Sequence, residues 1–201
     1  MVEDFNLLNH IFFVGIGRYQ SNDSFFNWES LIYPKSSFFE LKFTRNAPSK
    51  DTFYCLNKEN VKLVYYVHGT TDTVFTIGAR PIVQSQTLEA LIEYLIGEFF
   101  DMYDCTLLNS CYGDTCHIFN GFASVIKQAL ENFKKLDLVK FAHVNCSLCQ
   151  KTLVVIIKKT IVENSKKTTV PIVYVHSGHS ILLYFDRNFK IRGNEFVTLS
   201  Y

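Results

Sequence analysis

Short apolar segments separated by turn signals recur through the first eighty residues and predict extended strands. The segments are rich in β-branched and aromatic residues, which are typical of strands. Residues 69–72 (GTTD) separate two of them and predict a β-hairpin with a four-residue connection. A short helix is predicted between residues 22 and 34, around Trp28. The predicted strands lie at residues 11–16, 38–43, 52–56, 62–68 and 73–79.

Two later segments repeat their apolar residues with helical spacing and predict amphipathic helices. The first begins at Thr87, and the second runs from residue 121 to residue 136. A loop with three cysteines separates them. Both apolar stripes are expected to face the core; they comprise Leu88, Leu91, Ile92, Leu95, Ile96 and Phe99 in the first helix and Phe122, Val125, Ile126, Ala129, Leu130 and Phe133 in the second.

The order of these elements predicts an α+β fold. Strands followed by helices are typical of a layer in which helices cover one face of a sheet. We therefore expect an antiparallel β-sheet meander with two amphipathic helices on one face over residues 1–138. Residues 139–201 predict a small β-rich module, with strands at 139–144, 152–157, 170–175 and 180–185 and a further strand starting at 189–192.

Two turns of this module carry pairs of residues of metal-ligand type. Cys146 and Cys149 are separated by two residues, and so are His176 and His179. Structural Zn²⁺ takes four nitrogen or thiolate ligands in a tetrahedron, and a two-residue gap lets both side chains of a pair reach one ion. Gly178 would permit the bend between the histidines. The sequence therefore predicts one structural zinc ion bound by these two cysteines and two histidines.

Other interpretations of the same residues stay open from the sequence. The cysteines could be buried and the histidines exposed with no metal involved. The Cys-x-x-Cys pair could be a redox dithiol, although β-branched residues follow it where a thioredoxin-like unit has a helix. His143, three residues before Cys146, could replace one ligand. A closed set of four ligands indicates a structural ion, since catalytic zinc keeps one position open.

A second cluster, formed by Cys105, Cys111, Cys116 and His117, has looser spacing. It could bind a metal or form a disulfide, but its spacing favours ordinary loop and core residues. Cys55 lies in a strand pattern, which predicts a small buried apolar residue.

Composition indicates a globular protein with one domain, or one domain and a small appendage. The chain has 201 residues, of which 48% are apolar, and its 20 basic residues nearly balance 19 acidic ones. No apolar run approaches the roughly 18 residues that a membrane span needs. The first ten residues carry acids where a signal peptide needs positive charge. We therefore expect a cytoplasmic protein, or one that is peripheral at a membrane.

Charge is distributed unevenly along the chain. Residues 1–133 carry 9 basic and 15 acidic side chains, whereas residues 134–201 carry 11 and 4. The basic part is either a solvated surface or a contact with an acidic partner or a membrane surface. Because the net charge of the whole chain is only +1, a dedicated duplex nucleic-acid binder is not expected. Aromatic residues beside basic ones at 185–192 could contact a single strand, but strand packing explains them better.

The common catalytic and nucleotide-binding motifs do not occur in the sequence. Gly15 and Gly17 lack the third glycine of a dinucleotide-binding turn, and no P-loop is present. A hydrolase nucleophile elbow and a His-Glu-x-x-His metalloprotease motif are also missing. We therefore expect a protein that is not an enzyme.

The segment from about residue 59 to residue 136 resembles the longin family. The matching text is the hairpin KLVYYVHGTTDTVFTIGARP and the helices TLEALIEYLIGEFFDMY and FNGFASVIKQALENF. The pattern is similar to the longin-type domain at the N-terminus of signal-recognition-particle receptor α subunits. This resemblance implies a five-stranded antiparallel sheet that carries a strand hairpin followed by two amphipathic helices. A longin domain also has a helix between its second and third strands, whereas residues 38–52 here predict an extended segment.

The tail from about residue 144 to residue 193 resembles zinc-ribbon-like modules of small archaeal proteins. The four predicted zinc ligands and the strand ILLYFDRNFKIRG carry this resemblance. Together the two resemblances imply a non-catalytic adaptor of vesicle trafficking, which binds a small GTPase or another longin- or roadblock-type domain. An archaeal source would fit this combination. The alternative function is that of a zinc-dependent enzyme or a nucleic-acid-binding module.

Overall fold

A computed structural model describes residues 6–19, 24–31, 49–58, 60–111 and 117–198. It separates into two units, Met1–Leu136 and Asp137–Tyr201. The sheets of both units are antiparallel and are accompanied by few helices, which confirms the α+β prediction. The strand predicted at residues 38–43 lies outside the described residues.

The first unit contains a five-stranded sheet in which every strand pair is antiparallel. The predicted hairpin is confirmed: Val67 pairs with Val74, and the N–H of His68 donates to the carbonyl of Thr73 at 2.8 Å. Asp72 supplies the positive φ of the connection, at 52°. The strands are β1 (Ile11–Arg18), β2 (Ser24–Glu29), β3 (Phe53–Lys58), β4 (Val61–Val67) and β5 (Thr73–Ala79).

The predicted meander is wrong in its strand order, which is β2-β1-β5-β4-β3. β1 pairs with β5 as well as β2, so the first described strand lies inside the sheet, with a neighbouring strand on both sides. The reason can be read in its sequence, because seven of its eight residues are buried. Only a central strand, covered on both faces and both edges, can bury such a continuous apolar run.

The short helix predicted around Trp28 is also wrong, because this segment forms β2. Phe26 pairs with Ile16 of β1, and Trp28 pairs with Val14. Phe25 and Phe26 are both buried although they point to opposite faces of the sheet. Two adjacent aromatic residues can both be buried in this way only on a strand, which therefore wins over the predicted helix.

Both predicted amphipathic helices are present and share one core with the sheet. They are α1 (Ser85–Met102) and α3 (Phe122–Glu131). The ring of Phe99 meets that of Phe75 edge-on, with centroids 5.6 Å apart. Ile96, Val125 and Phe133 are only partly buried but pack against this core. The remaining members of both predicted stripes are fully buried in it: Leu88, Leu91, Ile92, Leu95, Phe99, Phe122, Ile126, Ala129 and Leu130.

Helical structure differs from the prediction at two places. The second predicted helix ends at Glu131 instead of residue 136, because Asn132 leaves the helical conformation and a 3-10 turn (Phe133–Leu136) follows. The predicted cysteine loop contains a short helix α2 (Cys105–Ser110). Its signal was the N-cap Asp104, whose carboxylate accepts the N–H of Thr106 at 2.7 Å. Within the part of the chain that the structure describes, none of the helices has the length and apolar character needed to cross a membrane.

The second unit contains a two-stranded and a three-stranded sheet around one small core. Alternate residues of β6 face this core, among them Ala142, Val144 and Cys146. Leu183 and Phe185 of β9 face the same core from the other sheet. The elements are β6 (Val139–Cys146), β7 (Lys151–Lys158), α4 (Lys159–Glu163), β8 (Thr169–His176), β9 (His179–Asp186) and β10 (Ile191–Val197).

Candidate metal centre

Two tight turns at one end of the second unit position the cysteine and histidine pairs. Cys146 is the last residue of β6, and Cys149 lies in the turn between β6 and β7. His176 ends β8 and pairs directly with His179, the first residue of β9. Because directly paired residues of antiparallel strands share one face of the sheet, both imidazoles project to the same side.

The backbone of the histidine turn depends on Gly178. This residue has a φ of 78°, and Ser177 before it has a φ of 47°. Two consecutive positive φ values are the mark of a two-residue hairpin of the type that favours Asn-Gly and similar pairs. The role predicted for Gly178 in the bend between the histidines is therefore confirmed.

These turns bring the four side chains together. One ligand atom from each of Cys146, Cys149, His176 and His179 lies within 4.8 Å of all the others. The Sγ of Cys146 is 3.6 Å from the Nδ1 of His179. A tetrahedral ion with Zn–S and Zn–N bonds of about 2.3 and 2.05 Å has an S–N edge of about 3.6 Å. The four residues thus lie close enough to hold a metal ion, and the distance from the Sγ of Cys146 to the Nδ1 of His179 matches the S–N edge of a zinc tetrahedron.

The burial of His176 is consistent with a metal ion at this position. Its Nε2 is buried, and among the described residues it has no hydrogen-bond partner. Buried polar atoms are rarely left without a partner, since each costs free energy that water would otherwise recover. The rings of His176 and His179 meet edge-on, 5.2 Å apart, so they do not stack on each other. An ion between the turns would give the buried nitrogen a partner.

The surroundings of Cys146 favour its thiolate form. Burial raises the pKa of this thiol. The backbone N–H of Cys149 and the side chains of His179, His176 and Cys149 oppose burial by hydrogen bonding, and the resulting pKa is about 6. Both cysteines are free thiols. Since the thiolate is the form that binds metal, a lowered pKa favours the ligating form of Cys146.

His143 does not belong to this site. It lies on β6 between the buried residues Ala142 and Val144 and is itself exposed. Alternation along the strand places it on the face opposite to Cys146. The prediction that His143 could replace a ligand is therefore wrong. A spacing of three residues suits a helix or a turn, and β6 is extended through both positions.

The second cysteine cluster does not form a metal site among the described residues. Cys111 is disulfide-bonded, whereas Cys105 is an exposed free thiol in α2. His117 is exposed at the start of a 3-10 turn, and Cys116 lies outside the described residues. Cys55 was expected to be buried, but it is exposed on β3. The reason is that β3 is the last strand on its side of the described sheet, where one edge lacks a neighbouring strand.

The aromatic residues at 185–192 are not available to nucleic acid. Phe185 is completely buried, and the partly buried Phe189 packs against the core of the second unit. The interpretation as strand packing is confirmed, and that of a single-strand contact through these rings is wrong.

Comparison with known proteins does not identify a family or a function for the chain. No protein-family model matches the chain, and no curated protein is significantly similar to it in sequence.

Proposed function

We propose that this protein is a non-catalytic adaptor whose C-terminal unit is stabilised by one structural Zn²⁺. The observation that carries the proposal is the convergence of two sulfur and two nitrogen ligands from separate turns, all within 4.8 Å of one another. Thiolate and imidazole together select zinc over calcium and magnesium, which bind oxygen. Cys₂His₂ is also a common ligand set of structural zinc.

The placement of the ligands supports a structural role. The cysteines belong to the turn of the two-stranded sheet, and the histidines belong to the turn of the three-stranded sheet. An ion bound by all four would cross-link the two sheets where their shared core ends. It would also have its four positions filled by protein, whereas a catalytic zinc keeps one for water or substrate.

Metal analysis of the purified chain tests the zinc proposal. We expect about one Zn²⁺ per chain in protein prepared under reducing conditions without added metal. Cys149→Ser should lower the zinc content severalfold, because a second-row oxygen is a poorer ligand than a thiolate. Cys105→Ser is the matched control, since this thiol is free, exposed and in the other unit. Zinc-free wild-type protein, or equal zinc loss in both variants, would refute the proposal.

The first unit supplies the adaptor surface in this proposal. Its five-stranded antiparallel sheet, its β4–β5 hairpin and the two helices that follow support the longin resemblance. Longin-like domains bind small GTPases, other longin- or roadblock-type domains, or short peptides, through a sheet edge or a helix face. The corresponding surface here is β3, an edge strand of the described sheet on which Leu56 is 53% exposed. An edge strand can accept a strand of a partner through backbone hydrogen bonds.

Titration with small GTPases, each loaded with GDP or with a GTP analogue, tests the adaptor proposal. We expect binding to one nucleotide state, weakened at least about tenfold by Leu56→Asp, because a charge replaces an exposed apolar contact. Ile118→Asp is the control, since Ile118 has a similar exposure of 49% but lies far along the chain from β3. Zinc-dependent hydrolase activity that is lost in Cys149→Ser, together with no GTPase binding, would replace the adaptor with an enzyme.

A further inference from the structure

The end of the second unit that is remote from the metal cluster carries four exposed cations on two adjacent turns. Lys166 and Lys167 precede β8, and Arg187 and Lys190 lie in the turn between β9 and β10. Pairing of Thr169 with Asp186 brings the two segments side by side. Strands of eight residues separate this end from the histidine turn, a distance of about 23 Å. We refer to the four cations as the basic end.

Both turns that carry the basic end have a fixed backbone. The hydroxyl of Ser165 accepts the N–H of Lys167 at 3.1 Å. The carboxylate of Asp186 accepts the N–H groups of Asn188 and Lys190 at 2.8 and 2.9 Å. The side chain of Phe189 packs against the core. The turns are therefore held in shape from within, and the long cationic side chains extend from preformed positions.

The acidic residues near the basic end are neutralised by other cations. Asp186 is paired with Arg192 at 2.6 Å, Asp137 with Lys140 at 2.7 Å, and Glu163 with Lys159 at 3.6 Å. The four cations of the basic end have no ion pair or side-chain hydrogen bond within the described part of the chain. Their positive charge therefore remains uncompensated by the protein itself.

We propose that the basic end is an electrostatic docking surface for bilayers rich in anionic phospholipids. Single-stranded nucleic acid needs an aromatic platform for its bases, and Phe185 and Phe189 are withdrawn into the core. Insertion of a helix into the major groove of a duplex is not supported here, since α4 has only five residues. Protein interfaces are depleted in lysine and centred on aromatic anchors. Exposed cations without such anchors suit the diffuse negative potential of a lipid surface.

Co-sedimentation of the full chain with vesicles tests this proposal. Vesicles of phosphatidylcholine with 30% phosphatidylserine should bind the protein at low salt, and vesicles of phosphatidylcholine alone should not. Lys166→Glu with Lys167→Glu should weaken binding by more than about 25-fold, because each cation near such a surface contributes roughly fivefold. Binding of the wild type should fall steeply between 50 and 300 mM salt as the charges are screened.

The control variant combines Lys127→Glu with Lys151→Glu, which gives the same change of net charge elsewhere on exposed positions. It should retain at least half of the affinity for the anionic vesicles. Equal loss of vesicle affinity in both variants would show that binding depends only on the net charge of the chain, and this would overturn the proposal. Tighter binding to an oligonucleotide than to anionic vesicles at equal phosphate concentration would also overturn it, in favour of nucleic acid. Zinc content and thermal midpoint of each variant show whether the fold is intact, so that loss of binding is not confused with unfolding.

Discussion

The two units of this chain reach a stable fold by different means. Among the described residues, the core of the first unit contains 24 buried residues, seven of them Phe or Tyr. The core of the second contains 11, with Phe185 as its single aromatic residue. Below about 70–80 residues a single apolar core rarely supplies enough stability without a disulfide or a metal. A unit with so small an apolar core is expected to need a further source of stability, and the four metal-ligand side chains that converge in the smaller unit could provide it.

The two units also differ in the kinds of interaction that stabilise their cores. In the first unit, aromatic rings of helices and sheet meet edge-on, as Phe99 does with both Phe75 and Phe122, at centroid distances of 5.6 and 5.2 Å. In the second unit, the end of the core is formed by polar ligands, and one histidine nitrogen is buried without a partner among the described residues. Aromatic packing dominates the described core of the first unit, whereas in the second unit the proposed ion would give the buried nitrogen of His176 a partner.

Removal of a metal ligand should destabilise the protein more than the truncation of a core leucine or the loss of a turn carboxylate. Cys146→Ser should unfold the second unit and leave the first folded, because structural zinc contributes roughly 10–16 kcal/mol of apparent binding free energy to small metal-dependent folds. Thermal unfolding followed by circular dichroism should show the loss of one transition, and near-ultraviolet signals from Trp28 should persist. A single transition that moves as a whole would contradict the independence of the two units.

A smaller effect is expected from truncation of the aromatic and aliphatic core of the first unit. Leu95 and Leu130 are each about 1% exposed, and their replacement by Ala should cost on the order of 2–5 kcal/mol. The denaturation midpoint of the first unit should fall while the zinc content stays at its wild-type value. Leu107→Ala is the control, since Leu107 is 39% exposed and should cost less than about 0.5 kcal/mol. Equal stability of all three variants would show that the stripes are not core.

The smallest expected effect concerns a carboxylate that fixes the β4–β5 connection. Asp51 accepts the N–H of Gly69 at 2.8 Å and the hydroxyl of Tyr66 at 2.9 Å. The backbone bond from Gly69, followed by the bond from Tyr66, lowers the pKa of Asp51 below its usual value. A carboxyl group whose pKa is lowered by folding stabilises the fold above its unfolded pKa, and this stabilisation is lost as pH falls through the folded pKa.

Asp51→Asn should therefore lower the thermal midpoint of the first unit at pH 7, and the difference from wild type should shrink below about pH 4. Asp101→Asn serves as the control for loss of one carboxylate, because Asp101 is exposed in α1, and it should change the midpoint at pH 7 by less than Asp51→Asn does. A difference between Asp51→Asn and wild type that is independent of pH would show that the charge of Asp51 does not matter.

Much of the fold could be predicted from the sequence where one signal dominated. Helical periodicity located α1 and α3, and alternation with turn residues located the strands of the second unit. Strand order could not be predicted in this way, since the position of β1 between β2 and β5 depends on pairing between residues about sixty positions apart. Local patterns contain no information about such distant partners, even though the unbroken apolar run of β1 was consistent with a central strand.

For the candidate site, too, some features could be predicted from local sequence and others could not. The spacing of the two ligand pairs, together with Gly178, was sufficient to predict that four side chains could share an ion. It could not show that His143 points away, because that depends on β6 remaining extended up to Cys146. The exposure of Cys55 was missed for a related reason: an edge strand and an inner strand of this length have similar composition, and only the sheet order distinguishes them.

Hydrogen exchange of the full chain, measured by mass spectrometry with and without a zinc chelator under reducing conditions, shows directly whether zinc stabilises the second unit. We expect removal of the metal to increase exchange throughout β6–β9 by several orders of magnitude and to leave α1 and β5 protected. Unchanged protection of β6–β9 after complete removal of any bound metal would contradict the claim that zinc stabilises the second unit.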